Sequence, residues 1–353
     1  MKRIKLFLLF ILPSIIHAQK LKVVKSGEYK YGYINEKGDT IIAPIYSYAY
    51  EFSEGLAAVR LYNDEDENYG SWGFIDTTGK EIITCKYSDA NSFSEGLAGV
   101  RLNKKWGFIN AKGEEVIPFM FDAVQPFEDG LAIIGSYRKT EPVMEDALQW
   151  SFNLINKKGG NILPNGYSYI RKFSEGLAAV SLNNKSGFID KNGKEIIALK
   201  YSAVGDFKNN IAVAKRNNTY GFINAKGKEI TKFSYSITKE ISDTLIAVGT
   251  GGRMVSTSGF GGRKPPQRLV GSKWGVINNY GKEITPLKYD EINTYANGLA
   301  AVMINKKWGY INTKGKEVIA LQFDSVENFY DGKALVKKKN TSYYINLEGH
   351  IVQ

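Results

Sequence analysis

Hydrophobic and polar residues alternate along this chain in short runs, not at helical spacing, and the runs return in a fixed order. One clear example begins at Leu97–Leu102, an extended apolar stretch that reads as a first strand. Asn103-Lys104-Lys105 turns the chain into Trp106-Gly107-Phe108-Ile109, a second strand with Trp106 and Phe108 on one face and Gly107 and Ile109 on the other. Asn110-Ala111-Lys112-Gly113 predicts a tight turn, because Asn tolerates the backbone there and Gly supplies positive φ. Glu115-Val116-Ile117 predicts a short third strand stopped at Pro118, which has no amide hydrogen for the ladder. Phe121, Val124 and Phe127 then come at a spacing of three. That spacing fits neither a flat strand nor a long helix. It predicts a kinked connector or single helical turn that plugs three side chains into the core and ends at a polar turn such as Ser94-Glu95-Gly96 or Ser174-Glu175-Gly176.

The pattern is a repeat. Aligned on the glycine of the Trp-Gly pair, the anchors are Gly32, Gly73, Gly107, Asn153 (in place of Gly), Gly187, Gly221, Gly275, Gly309 and Tyr343. Successive intervals are 41, 34, 46, 34, 34, 54, 34 and 34 residues, so the period is 34 with additions of 7, 12 and 20. The expectation is an all-β fold of about nine units with three short antiparallel strands each, set in an open curved array, with a closed propeller-like ring as the alternative. The additions fall near 62–69, 137–150 and 249–273, all at the hairpin tip before the Trp-Gly strand. Insertions that share one face of a repeat array often mark a binding face.

Lys105-Trp106-Gly107-Phe108-Ile109-Asn110, Lys273-Trp274-Gly275-Val276-Ile277-Asn278 and Lys307-Trp308-Gly309-Tyr310-Ile311-Asn312, with the Phe-Ser-Glu-Gly-Leu-Ala turns at Phe52, Phe93 and Phe173, resemble the WG-repeat (KWG-type) family of bacterial exported repeat proteins. The resemblance covers nearly all of residues 22–350. It implies β-repeats with a scaffold or binding role and carries no catalytic residues over.

Met1–Gln19 reads as an export signal: Lys2, Arg3 and Lys5, then the apolar Leu6–Ile16, then Ala18 before Gln19. The run is too short to span a bilayer. The expected product is residues 19–353, one repeat domain in the periplasm or outside the cell, not transmembrane. Without a cysteine at the cleavage site it is not a lipoprotein. Losing residues 1–18 removes three of 47 basic residues and none of 36 acidic ones, which leaves a net charge of +8. That is a mild attraction to anionic surfaces, without the footprint of a specific nucleic-acid binder.

Cys85 is the single cysteine, so no intramolecular disulfide forms, and His350 is the single histidine once His17 leaves with the signal. A multi-histidine metal site is therefore excluded and a histidine-based triad has almost nothing to rest on. No catalytic residue, metal site or cofactor is predicted. Trp72, Trp106, Trp274 and Trp308, with Gly73, Gly107, Gly275 and Gly309, read as repeat-defining: each Trp is expected to fill the core over a Cβ-less glycine of a neighbouring unit. Trp150 lies off the pattern and is expected at the surface. Glu54, Glu95 and Glu175 recur in turns and read as structural, and Asp64–Glu67 as a solvated acidic tip. The binding candidate is Gly249–Lys273, which holds Arg253, Arg263, Lys264, Arg268 and Lys273 among seven glycines with no acid. It reads as a flexible basic loop able to clasp an anionic polymer or membrane surface. The sequence points to a non-catalytic scaffold for a protein or envelope glycan; a glycan binder or glycoside hydrolase, and a purely structural envelope protein, are the alternatives.

Overall fold

A computed structural model describes residues 20–61, 70–139, 148–256 and 267–352; for strand residues 138–139, 148–149, 253–256 and 267–270 only the backbone course is described. The export signal, the acidic run Asp64–Glu67, Arg263 and Lys264 lie outside the described residues. By density of contacts the chain divides into two compact units, Met1–Pro164 and Asn165–Gln353, where the sequence suggested one domain. The division falls where the fourth repeat lacks a full third strand.

Among the described residues there is no helix, only nine antiparallel sheets, six of four strands and three of three. The sheet around Trp106 shows the plan. A two-residue lead strand, Asp89–Ala90, pairs with Leu97–Leu102, which pairs with Lys105–Asn110, which pairs with Glu115–Phe121. The hairpin closes through Asn103 and Lys104, both with positive φ (50° and 67°), the geometry that matches the strand twist. The following turn is held as expected: Asn110 Oδ1 accepts from the amides of Lys112 and Glu114, each at 3.0 Å.

Two local expectations need correction. The third strand does not stop at Pro118. It continues to Phe121 by bulging: Ile109 pairs with Glu115, Phe108 with Ile117, then Trp106 with Phe121. Four residues of one strand thus span two of the other, and Pro118 lies in the unpaired arch, where its missing N–H costs no ladder bond. Nor is the connector helical. Its spacing of three arises because Phe121 ends one strand, Val124 belongs to the next lead strand and Phe127 precedes a tight turn. All three do enter one core cluster. The lead strand they form is the fourth strand that a three-strand reading omitted.

The bulge explains the glycine. A Cβ on Gly107 would stand 2.7 Å from the Ile117 carbonyl oxygen and 3.0 Å from Phe119, both of the adjacent strand in the same sheet. Gly32, Gly73, Gly187, Gly275 and Gly309 meet the same arch, at Ile42, Ile83, Ile197, Thr285 and Ile319. Each of these six is followed by a seven-residue third strand. The glycine therefore serves its own sheet and makes no seat for a neighbouring unit's Trp.

Both faces of the sheet around Trp106 are buried, as Phe108 and Ile109 show with no exposed surface on either. Phe108 meets Phe127 of the following sheet at 4.8 Å between ring centroids, and Ile109 joins the cluster holding Phe74 and Phe93. The same ring pair recurs as Tyr33–Phe52, Phe74–Phe93, Phe188–Phe207 and Tyr310–Phe329, at 4.7 to 4.9 Å. Hydrogen bonds repeat beside it. Ser53, Ser94 and Ser174 donate to the carbonyls of Phe93, Phe127 and Phe207, one repeat onward. Glu54 and Glu95 accept from the amides of Gly96 and Gly130, while Glu175 takes those of Asn209 and Asn210. The recurrent glutamates are structural.

Gly107→Ala should lower stability by ~1–3 kcal/mol, because the added carbon must displace backbone. Equilibrium denaturation measures this, and an unchanged midpoint would show that the arch does not fix the glycine.

Candidate functional site

The repeat residues that look chemically interesting are engaged with one another. Trp72 is 5 % exposed, stacked on Tyr50 at 5.2 Å with the Arg60 guanidinium 5.7 Å from its ring. Trp106, Trp274 and Trp308 are half-buried at the margins of core clusters. The lysine before each Trp has a partner that the sequence reading missed. Lys105 reaches Asp122 at 2.6 Å and Lys307 reaches Asp324 at 2.6 Å, while Lys273 pairs with Asp290. The second carboxylate oxygen of each Asp accepts an amide of the next hairpin, from Tyr137, Lys339 and Asn305 respectively. A fixed interval of 17 residues between Lys and Asp was the available signal. The Lys273 and Lys307 ammonium groups hold Asp290 and Asp324 below the usual carboxylate range. Burial pushes Asp122 up, but Lys105 and the Tyr137 amide outweigh it and the net shift is downward.

The basic insert is not a loose loop over its described length. Leu245–Ser256 and Gln267–Asn278 form one hairpin of twelve-residue strands, in register from Leu245↔Asn278 to Ser256↔Gln267. Arg253 lies opposite Val270 and Arg268 opposite Val255. Met254, Val255, Leu269 and Val270 supply the strand-forming character that the glycines obscured. Gly249 faces Trp274 within the repeat's own ladder, where a Cβ would press on Ile237 at 2.7 Å. In the fourth repeat, Leu131–Lys139 and Leu148–Asn156 form a similar extended hairpin. There Tyr137, 45 % exposed, meets Trp150 at 3.7 Å, and Trp150 stacks on Phe152 at 5.4 Å. Trp150 is thus half-buried by its neighbours.

Three other groups were open to a chemical role. His350 is exposed and gives its amide to Asn346 Oδ1 in the last turn. The Cys85 thiol is pushed up to about 11, chiefly by burial, which keeps it protonated and unreactive at neutral pH. No group of three or more His, Cys, Asp or Glu that could hold a metal stands among the described residues.

The concave site is elsewhere, in the second compact unit. A cavity of about 570 Å³ opens between the sheet of Ile211–Arg216 and Thr219–Asn224 and the sheet of Ile237–Glu240 and Leu245–Ser256. Phe222, Val213 and Ile246 form its apolar wall. Its rim carries Arg171 paired with Asp206 at 3.2 Å, and Lys208 shared between Glu240 at 2.9 Å and Asp243 at 3.7 Å. The repeat changes here, and Val213 fills the room that a Cβ on Gly205 would need, 2.8 Å away. Gly205 stands where the other connectors place Tyr50, Asn91, Gln125 or Asn293. Ile241 stands where the ring pair needs a phenyl, so Phe222 has no ring partner from that position and lies tilted 6.4 Å from Tyr235 instead. The sequence reading did not single out this place; two departures from the repeat, 36 residues apart, were its signal.

Fold and site together define an all-β tandem-repeat protein whose unit is a bulged antiparallel sheet. Residues 31–64, 72–106, 106–135, 154–185, 187–220, 274–308 and 308–341 match the model of the WG containing repeat, and the chain belongs to that family. No curated protein matches the sequence. Among solved structures the chain is similar to one described as the crystal structure of the eukaryotic initiation factor, with 8 % identity over 92 % of this chain and 87 % of that one and a TM-score of 0.43. It is also similar to Kluyveromyces lactis Hsv2, with 11 % identity over 74 % of this chain and 94 % of that one at a TM-score of 0.32. A form of Hsv2 with loop 6CD replaced by a Gly-Ser linker gives 10 % identity, the same coverage and 0.36. Scores this low transfer neither fold nor function.

The depressed Asp pKa values set a direction with pH. Their contribution is complete above the ordinary carboxylate value of 3.8 and is lost as pH falls through the lower folded values. Asp290→Asn with Asp324→Asn should therefore weaken the protein at neutral pH and flatten its loss of stability in acid, read from denaturation midpoints at several pH values. Parallel curves for variant and parent would exclude the Lys–Asp bridges as the cause.

Removing residues 252–271 tests the hairpin. It joins Gly251 to Ser272 as a two-residue connection flanked by the existing Thr250↔Lys273 pair, with glycine in the first position that such a turn requires. The shortened chain should keep a thermal midpoint within a few degrees of the parent. A large drop would make the outer hairpin part of the stabilising core.

Proposed function

We propose that this protein is an exported, non-catalytic binding scaffold that engages a protein or glycan partner. One observation carries the reading. The recurrent polar side chains are bonded to the next repeat, whereas a cavity with a mixed apolar and charged lining stands where the repeat is broken. A pocket of this size with a few convergent polar groups is the ordinary form of a ligand site. The glutamates that a glycoside hydrolase would need as acid and base are committed to backbone amides, which favours binding over hydrolysis. The Tyr137–Trp150 pair, towards the outer end of the described strands of the fourth hairpin, specifically favours a saccharide among partners, since aromatic faces pack on the apolar faces of sugar rings.

Export and binding are tested separately. Protein recovered from the periplasm or medium should begin at Gln19, and an uncleaved chain confined to the cytoplasm would overturn export. Purified envelope polysaccharides, titrated calorimetrically, should bind the mature chain and lose affinity by about tenfold or more on Trp150→Ala, the usual cost of removing an aromatic stacking contact with its burial. Unchanged affinity would remove the saccharide reading at this hairpin, and turnover of the polysaccharide to reducing ends would overturn the non-catalytic one.

A further inference from the structure

We propose that the cavity between the sixth and seventh repeats binds a primary ammonium group carried on an apolar stem. The inference deepens the scaffold reading by assigning a ligand class to its cavity.

Size and apolarity come first. About 570 Å³ is far more than one or two waters need, and the wall of Val213, Phe222 and Ile246 suits an aliphatic chain. Ile246 itself departs from the repeat, because the matching positions hold Ala57, Ala98, Ala132, Ala178, Ala212 and Ala300. A larger apolar side chain lines the gap at the junction where Ile241 takes the place of the phenyl ring.

The charges at the mouth decide the head group. The cations lining it are Arg171 and Lys208, and the anions are Asp206, Glu240 and Asp243. Arg171 is matched by Asp206, and a single ammonium, Lys208, is shared by two carboxylates. One negative charge is therefore in excess at the mouth, in a chain whose net charge is +11. Asp243 holds its share of Lys208 at the longer 3.7 Å, against 2.9 Å for Glu240, and its side chain is 94 % exposed. Its position is fixed from below, because Asn209 Nδ2 donates to the Asp243 carbonyl. A second ammonium entering beside Lys208 would complete a two-by-two alternation of charge while its stem covers Phe222 and Ile246. An anionic ligand would face the excess carboxylate and would have to displace existing pairs.

The chemistry is shared by two sources, a free aliphatic amine and a lysine side chain of a peptide. Isothermal titration on the mature chain would use hexylammonium chloride and Nα-acetyl-lysine N-methylamide, against 1-hexanol and Nα-acetyl-norleucine N-methylamide as neutral counterparts. The ammonium ligands should bind about fivefold or more tightly than their counterparts at low salt, the scale of one partly exposed ion pair. The preference should shrink with added sodium chloride and vanish in Glu240→Gln/Asp243→Asn, two exposed positions whose replacement leaves the core intact. Tighter binding of the lysine amide than of hexylammonium would name a peptide as the source, and the reverse a free amine. Equal affinity for neutral and charged ligands overturns the ammonium assignment but leaves a functioning cavity. Binding of none of the four, or a preference retained in the double variant, overturns the site, while the scaffold reading still stands or falls on the polysaccharide titration.

Discussion

The architecture depends on one close approach, between the glycine of each Trp-Gly pair and the arched backbone of the strand beside it. Two residues on one strand face four on the other, so the longer strand has to rise over its neighbour. Only a residue without Cβ leaves room beneath the arch. One exception follows the same rule. Asn153 replaces the glycine in the fourth repeat, and there the chain pairs with Leu154 and Ile155 and then leaves, without a bulged third strand. Gly221 lies under an arch of the same register, Ile223↔Glu229 then Tyr220↔Tyr235, where the Phe233 ring covers it. The tryptophan is the conspicuous letter of the motif, but the glycine states the geometric condition.

Sheets built this way cannot stand alone, because both faces are apolar. Where the motif is complete, a sheet is held to the next by a ring pair, a serine hydroxyl and a glutamate that reach forward one repeat. Aromatic pairs are worth ~0.5–1.5 kcal/mol beyond their buried area, and each such junction is one term in a nearest-neighbour sum. Lys and Asp add a bridge within this scheme, with Asp tying the tip of one hairpin to the next hairpin. A substitution in one repeat is thus felt mainly at its own two junctions. That locality allows one junction to be remodelled without loss of the others.

Much of this was legible in the sequence. The 34-residue interval, the Asn-x-x-Gly turn and the period-two apolar runs specify antiparallel hairpins through local chemistry, so they survive without knowledge of neighbours. What was lost depended on contacts between strands. A bulge leaves no period of its own, so Pro118 looked like a strand end when it lies in an arch. Spacing of three at Phe121, Val124 and Phe127 mimicked a helical turn, because a strand end, a lead strand and a turn succeed one another there. In the basic insert, glycine content suggested a loop, while the strand-forming Met254, Val255, Leu269 and Val270 lie in the ladder that runs outward. The cavity could be found only by comparing each repeat with its neighbours and asking which filling residue had been withdrawn.

That comparison gives a general reading of this array. Positions that repeat have been assigned to holding the units together, and their charges and rings are already paired. On the scaffold proposal, capacity for recognition resides where the pattern fails: at hairpins longer than the fold requires, and at the junction where Gly205 and Ile241 replace larger groups. On the fifth-repeat side of that junction the supporting bonds persist, since Ser174 still reaches Phe207 and Glu175 still holds Asn209 and Asn210. The void is consequently bounded on that side by intact repeat contacts. A wall held in this way keeps its shape before a ligand arrives, so little of the binding free energy is lost to ordering it.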